Sequence, residues 1–374
     1  MTCVLSDSLV ARKSLNSNHL EADVKAIDLF SGPGGLTLGL KEAGIIPVCS
    51  VELSKDAVDT YASHTPDAVH YCEDIRKVDL AKHKAGVELV YGGPPCQPFS
   101  TGGLMKGSKD KRDMIPSFIE ALQTVKPHAF IMENVPGLIT KSKIGYFRDV
   151  LRRLASLGYK LNWDVLYSAD YGVAQKRKRL VVLGCLDRLL LFPKPTHGPD
   201  GDEPYVPASR FLSKFAPVGT TPRSPVKYAQ FPDLRKSPYA GHIYNGGGRP
   251  INLDEPCPTI LASAGGYKTH WVDTLDVAPE YHRHLINGGK PREGIVNGAR
   301  RMSVEESALI QSFPHWLRFS GSRSSQYTQV GDAVPPKLAE AIGKAIVKQL
   351  DCTKAPETEF LQPKLAQNQL ELPW

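Results

Sequence analysis

The first half of the chain repeats one pattern: a short apolar run, a turn, then a stretch whose apolar residues recur at helical spacing. That alternation predicts strands at Val24–Phe30, Ile46–Glu52, Val69–Cys72, Val87–Tyr91, Ala129–Glu133, Leu161–Tyr167 and Leu180–Cys185. Between them, Ile115, Phe118, Ile119, Leu122 and Val125 fall on one helical face, as do Phe147, Val150, Leu151, Leu154 and Leu157. Strands alternating with helices predict an α/β fold around a seven-stranded, mostly parallel sheet covered on both faces.

The pattern fails after Phe192, where proline becomes dense: ten of the chain's thirty prolines lie between Pro193 and Pro238. Regular helices do not continue through such a stretch. Together with glycine clusters such as Gly246-Gly247-Gly248 and Gly288-Gly289, this predicts a smaller, irregular second domain over 193–299. Helical spacing returns at Val304, Ala308 and Leu309, and again at Leu338, Ile342, Ala345 and Ile346; the last helix is expected to rejoin the first domain. The expected division is therefore a catalytic domain over 24–192 plus 327–352, a second domain over 193–299 and a connecting segment over 300–326. Residues 1–23 and 353–374 are expected to be loosely ordered ends. The length, 374 residues, suits one large and one small domain.

No apolar run reaches the length of a membrane span, and the N-terminus lacks a secretory or transit signature, so a cytoplasmic protein without membrane contact is expected. Seven cysteines, at positions 3, 49, 72, 96, 185, 257 and 352, form no C-x-x-C pair, which argues against a disulfide framework or a structural zinc site. The net charge of +7 is concentrated. From Lys176 to Lys236 there are twelve Lys or Arg against five Asp or Glu, an excess of seven, and such a surface suits a polyanion.

Four loops carry candidate chemistry. The first strand ends in Asp28-Leu29-Phe30-Ser31-Gly32-Pro33-Gly34-Gly35, and Glu52 closes the second strand about twenty residues on. Glycines after a strand let the backbone approach a ligand, while the later acid accepts ribose hydroxyls. The third glycine of the dinucleotide spacing would fall at Thr37, so the layout is nucleoside-binding without being a dinucleotide fingerprint. Asp74, followed by Ile75, adds an acid after the third strand. The fourth strand runs into Gly93-Pro94-Pro95-Cys96-Gln97-Pro98-Phe99-Ser100. A lone cysteine is more often a small buried residue, but this one stands on a proline-braced loop at a parallel strand's C-terminal end, where open α/β sheets place their chemistry. Glu133 ends the fifth strand, a position for a general acid. Finally, Gln175-Lys176-Arg177-Lys178-Arg179 opens the seventh strand and places Arg177 and Arg179 on one predicted face, able to grip a phosphate or carbonyl oxygen.

Taken together, these residues resemble the DNA cytosine-5 methyltransferases, because six separated motifs occur in that family's order between Ile27 and Ile346. The last two are Arg301-Met302-Ser303 through Phe313-Pro314, and Gly331-Asp332-Ala333-Val334-Pro335. The resemblance implies a methyltransferase with a Rossmann-like catalytic domain that uses S-adenosylmethionine and no metal. Phe30, Gly32, Gly34, Gly35, Glu52, Asp74, Ile75 and Pro95 would bind that cofactor, with Phe30 against adenine, Glu52 on ribose and Asp74 near the adenine amino group. Cys96 would be the nucleophile, Glu133 the acid at ring N3, and Arg179, with Arg177, the cationic partner. The target cytosine would be flipped out of duplex DNA, residues 193–299 would recognise the sequence, and Ser100 with Thr101-Gly102-Gly103 would form a mobile flap. A monomeric modification enzyme, paired with a restriction endonuclease acting on the same site, is the expected setting. One position departs from the family pattern: Asp332 stands where Asn is usual. A transfer-RNA cytosine methyltransferase and a catalytically dead DNA-binding regulator remain alternatives; a D/N-P-P-Y amino-methyltransferase and a dehydrogenase fit the loops less well.

Overall fold

The computed structural model describes residues 23–96, 112–213, 224–351 and 360–361. The first half alternates as expected: β1 (Val24–Leu29), α1 (Gly35–Lys41), β2 (Ile45–Glu52), α2 (Lys55–Ala62), β3 (Val69–Cys72), β4 (Leu89–Gly92), α3 (Ile115–Val125), β5 (Ala129–Asn134), α4 (Ile144–Ser156) and β6 (Lys160–Tyr167). A two-residue β7 (Gln175–Lys176) precedes β8 (Lys178–Cys185). Seven strands form one sheet in the order β3-β2-β1-β4-β5-β8-β6. Neighbours from β3 through β5 run parallel, and β8 runs antiparallel between β5 and β6. All seven predicted strands are present, with ends shifted by two residues at most.

Apolar faces decide the layering. Ile115, Phe118, Ile119, Leu122 and Val125 of α3 pack with Phe147, Val150, Leu151 and Leu154 of α4 on one side of the sheet. On the other side lie Leu36 and Leu40 of α1. There they meet Leu338, Ala339, Ile342 and Ile346 of the final helix α8, given below, which returns to the first half as expected. Close approach explains a glycine at that contact: a Cβ on Gly39 would stand 2.0 Å from the Pro336 carbonyl oxygen.

The remaining elements are β9 (Tyr228–Asp233), β10 (His242–Tyr244), β11 (Pro250–Ile251), β12 (Cys257–Pro258), β13 (Trp271–Asp273), α5 (Val277–Ile286), β14 (Ala299–Arg301), α6 (Val304–Ile310), α7 (Arg323–Asp332) and α8 (Pro336–Leu350). The short strands agree with the irregular pattern read after Phe192. Helices α5 and α7 were not expected. The first carries Pro279 inside its opening turn, where the missing amide hydrogen is harmless, and the second shows only a weak apolar stripe. Its Tyr327 and Val330 nevertheless share a core with Met302, Val304, Phe313, Ile251 and Ile260. Helix α6 starts at a capping box between Ser303 and Glu306, whose carboxylate also takes two hydrogen bonds from Arg300 at 2.8 and 2.9 Å.

The sequence pattern misplaces Arg177. Arg177 was expected on the same strand face as Arg179, in a catalytic role; instead it is fully buried in the break between β7 and β8. The reason is that β7 leaves the main sheet to pair with β12 of the second half. The Arg177 guanidinium then donates to the carbonyls of Ile260 (2.9 Å), Gly331 (2.7 Å) and Ala333 (2.9 Å). Gln175 assists: its Oε1 accepts from the Ile260 amide at 3.1 Å, and its amide nitrogen meets Gln311, which itself donates to Ala333. Arg177 is thus a tie between segments distant in sequence, not part of the chemistry.

Replacing Arg177 by Met keeps its length and leaves three buried carbonyls short of a donor, at about 1–3 kcal/mol each. Urea unfolding at fixed pH should show a loss of about 3 kcal/mol or more, only partly restored in Arg177→Lys, whose single ammonium lacks the fork. An unchanged midpoint in Arg177→Met would remove the tie.

Candidate active site

Parallel strands deliver their C-terminal ends to one edge of the sheet, and the reversed β8 delivers its N-terminal end to the same edge. The loops after β1, β2 and β4, the end of β5 and the start of β8 therefore converge, which brings Phe30, Glu52, Cys96, Glu133 and Arg179 to one rim.

The β1 loop is held from beneath. Thr37, where a third glycine was absent from the sequence pattern, donates its hydroxyl hydrogen to Asp28 at 2.5 Å and receives the hydroxyls of Tyr61 (2.9 Å) and Tyr91 (2.8 Å). Burial pushes the Asp28 carboxyl up to about 8 against the pull of these hydrogen bonds. Above this network the chain turns sharply. Phe30 has φ 57°, in the left-handed region that a bulky residue rarely adopts, and Gly32 and Gly34 follow with φ 54° and 87°. A Cβ on Gly34 would stand 2.5 Å from the His64 ring and one on Gly35 2.3 Å from the Val334 carbonyl oxygen, whereas one on Gly32 would meet nothing within 4 Å. Gly34 and Gly35 are small because protein packs against them; Gly32 borders open space.

Glu52 at the end of β2 is fixed by two amides, Gly32 N–H to Oε2 at 3.0 Å and Ser54 N–H to Oε1 at 2.8 Å. Its carboxylate keeps lone pairs for further donors. Asp74 caps the turn that begins at Ile75 and is gripped by Arg76, whose backbone amide and guanidinium hold the carboxyl down to about 2. Asp74 is thus a committed acceptor with little capacity left.

The nucleophile loop is braced from β5 and from the chain before α3. Asn134 donates to the Pro94 carbonyl at 2.9 Å, and the Met114 amide donates to Pro95 at 2.9 Å. Gly93 is required because a Cβ there would stand 2.8 Å from Glu133 Oε2. Pro95 is exposed while Cys96 is only 6% exposed, at the margin of the main core. Burial, then the nearby Asp113 carboxylate, pushes its thiol up to about 12, so the sulfur is protonated at neutral pH. The flap expected at Ser100 and 101–103 lies outside the described residues.

Glu133 and Arg179 are both buried, with Arg179 Nε 2.6 Å from Glu133 Oε1. The approach is that of an ion pair; its angle is too oblique for a good hydrogen bond from Nε. Burial raises the Glu133 carboxyl to about 7, Arg179 pulls it down and Asp332 pushes it up. Asp332 keeps an accessible edge, but the walls around it withhold enough water to raise its own carboxyl, with Arg179 opposing and Glu52 reinforcing. The rim therefore holds three carboxyl groups around one buried guanidinium, an environment suited to a cationic ligand.

Sequence reasoning missed the Asp28–Thr37–Tyr61–Tyr91 network and the brace from Asn134. The first joins residues up to 63 apart in the chain, with no local pattern. The second had a signal in the polar residue directly after Glu133.

The chain matches the model of the C-5 cytosine-specific DNA methylases over residues 24–348. It is 32% identical over 364 residues to the Type II methyltransferase M.AplI of Arthrospira platensis, covering 95% of each chain. To the Type II methyltransferase M.Sau96I of Staphylococcus aureus it is 31% identical over 352 residues, covering 88% of this chain and 77% of that one. Among solved structures, the Dnmt2 methyltransferase of S. pombe superposes with a TM-score of 0.63 at 18% identity, covering 88% of this chain and 99% of that one, a likeness of fold.

Because Glu133 binds its proton more tightly in the folded chain than in the unfolded one, its contribution to stability declines as pH rises from about 4.5 to about 7. Carboxyl ¹³C NMR should find a signal titrating near 7 that disappears in Glu133→Gln and moves upward in Arg179→Met. A glutamate midpoint near 4.5 would refute the buried pair as the cause.

Proposed function

Since the chain belongs to the C-5 cytosine-specific DNA methylase family and is a DNA cytosine-5 methyltransferase, we propose that Cys96 performs the reaction by adding covalently to carbon 6 of a cytosine flipped out of the duplex. The observation that carries this reading is the convergence of a loop thiol, a carboxyl protonatable near neutrality and a buried guanidinium on one sheet edge.

Phe30, Gly32, Gly34, Gly35, Glu52, Asp74, Ile75 and Pro95 would hold S-adenosylmethionine. The fit rests on the open space beside Gly32, the pre-set Glu52 carboxylate and the acidic rim. Of this set, Asp74 contributes least, since Arg76 already occupies it. When bound, the cofactor supplies an electrophilic methyl group on a sulfonium.

Carbon 5 of cytosine is a poor nucleophile. Addition of the Cys96 sulfur to carbon 6 turns the ring into an enamine whose carbon 5 takes up the methyl group. Glu133, protonated, hydrogen-bonds or protonates ring N3 as the sulfur adds, so that negative charge does not accumulate. Arg179 orients that carboxyl and offers its remaining donors to the O2 carbonyl. Loss of the carbon 5 proton and expulsion of the sulfur leave 5-methylcytosine and a regenerated thiol. A paired base cannot present carbon 6 to a loop cysteine, which is why flipping is required.

The wall opposite the rim would come from residues 193–299. In the β9–β10 ribbon, Lys227, Gln230, Arg235 and Lys236 are exposed and Phe231 is 84% exposed, a composition suited to phosphates and base edges. The relatives named as Type II methyltransferases support a restriction-modification role, in the cytoplasm of the cell whose DNA is marked. Among the described residues, no helix is long and apolar enough to cross a membrane.

Labelled methyl transfer from S-adenosylmethionine to duplex DNA, compared with transfer RNA and followed by bisulfite sequencing, tests substrate and position together. Label at cytosine carbon 5 in duplex DNA is expected; label confined to transfer RNA or to adenine would overturn the reading. Cys96→Ser should lower turnover by at least ~10³-fold, the scale on which losing a covalent nucleophile is felt, while cofactor affinity stays within about twofold. Duplex containing 5-fluorocytosine should trap the wild-type chain covalently. Because protonated Glu133 is the working form, kcat/KM should fall as pH rises through about 7.

A further inference from the structure

The mechanism leaves one group unexplained: a buried carboxylate directly opposite the nucleophile. Cys96 and Asp113 form an isolated antiparallel bridge, reinforced by the Met114 amide on the Pro95 carbonyl at 2.9 Å. Residues directly opposed in such a pair face the same side, with Cβ atoms about 4.5–5.5 Å apart. Asp113 and Cys96 are both buried. The carboxylate is fixed on two sides: Oδ1 accepts the Ile115 amide at 3.2 Å, and Oδ2 accepts the hydroxyl of Tyr146 on α4. Lys143, at the start of the same helix, acts on the sulfur with the opposite sign, Arg153 acts on Tyr146, and Arg112 precedes Asp113 in the chain.

An anion held beside a sulfur out of bulk water opposes formation of a second anion. A loop that merely braced the backbone would have no need of a carboxylate, since the bridge and the Met114 amide already do that. Tyr146 moderates the charge, because a hydrogen bond to the carboxylate spreads it over the phenol. Burial also raises the Tyr146 phenol, followed by its hydrogen bond to Asp113, so it stays a neutral donor.

We propose that Asp113, anchored by Tyr146, is a positioning residue that keeps the Cys96 sulfur protonated and unreactive in the free protein, confining its activation to the substrate-loaded state. This rests on the assignment of Cys96 as nucleophile and adds to it a charge that restrains the nucleophile. No bond is made or broken by the pair; the proton simply remains on sulfur until the flipped base and its partners change the balance.

The test is alkylation of Cys96 by iodoacetamide in the full chain without DNA or cofactor, followed by peptide mass spectrometry as a function of pH. Exposed Cys72 serves as internal reference and buried Cys49 and Cys257 as reporters of folding. In Asp113→Asn the pH midpoint of Cys96 alkylation should fall by about one unit or more, so that labelling at pH 8 rises about tenfold relative to Cys72. In Tyr146→Phe the carboxylate loses its donor, and the midpoint should rise. A rate scaled equally at every pH with an unmoved midpoint, in either variant, would mean that only access had changed and would overturn the proposal. If Asp113→Asn unfolds, seen as labelling of Cys49 and Cys257, Tyr146→Phe decides alone by the direction of its midpoint. Covalent trapping of the wild-type chain by 5-fluorocytosine duplex is read separately: its absence would remove Cys96 as nucleophile, whereas trapping with unmoved midpoints would remove only the restraint.

Discussion

The contact between Glu133 and Arg179 is the constraint from which the rest of the rim follows. A buried carboxyl and a buried guanidinium are each costly alone, and their proximity is tolerable only when the backbone delivers both to the same point. A sheet of parallel strands alone would bring acids and glycines to this edge but no residue from a strand's beginning. Reversing β8 between β5 and β6 supplies one: Val181 pairs with Glu133 and Leu180 with Asn134, so Arg179 falls just past the end of β5. The chain must then enter β8 from above the rim, and β7 provides that entry by pairing with β12. The topology that makes the acid usable therefore also binds the first half of the chain to the second, and the buried fork of Arg177 is the price at that junction.

Charge within the cleft is arranged against the character of the chain. The protein is basic overall, yet Glu52, Glu133 and Asp332 surround a single guanidinium at the rim. Field lines in a walled cleft are focused by the low-dielectric surroundings, so a few local carboxyl groups outweigh a diffuse surface excess of the opposite sign. One chain can in this way present a surface for a polyanion and, a short distance inside, a site for a cation. The buried Asp28 beneath the first loop belongs to a different economy: its oxygen anchors Thr37 and two tyrosines and thereby stiffens the turn that carries Phe30 at positive φ.

Much of this was legible in the sequence because it is local. Strand-loop units such as Asp28–Gly35 and Gly93–Cys96 carry their own geometry, since proline fixes φ and glycine marks either close packing or open space. The seven strands and the return of α8 followed from period alone. What stayed hidden depended on partners remote in the chain. Arg177 and Arg179 look equivalent two residues apart, and only the departure of β7 to another strand sends one to the interior and leaves the other at the rim. Helix α7 escaped because its buried residues, Tyr327 and Val330, are too few to print a stripe. Asp113 gave no signal, because its significance lies in the register that sets it across from Cys96.

Asp332 shows how a departure from a family pattern becomes intelligible once its surroundings are known. An aspartate in place of a neutral amide at a ligand-binding rim should add an uncompensated charge. Arg177, however, binds the carbonyls of both Gly331 and Ala333, so the backbone on either side of Asp332 is fixed, and Arg179 opposes its charge from β8. The two arginines of one short motif thus serve this residue differently, one by holding its backbone and the other by compensating its side chain. Because Arg179 is shared with Glu133, any cation that approaches Asp332 relieves Arg179 of part of that duty and strengthens its hold on Glu133. The occupancy of the cleft and the acidity of the group at its floor are therefore coupled through one guanidinium, without movement of the backbone.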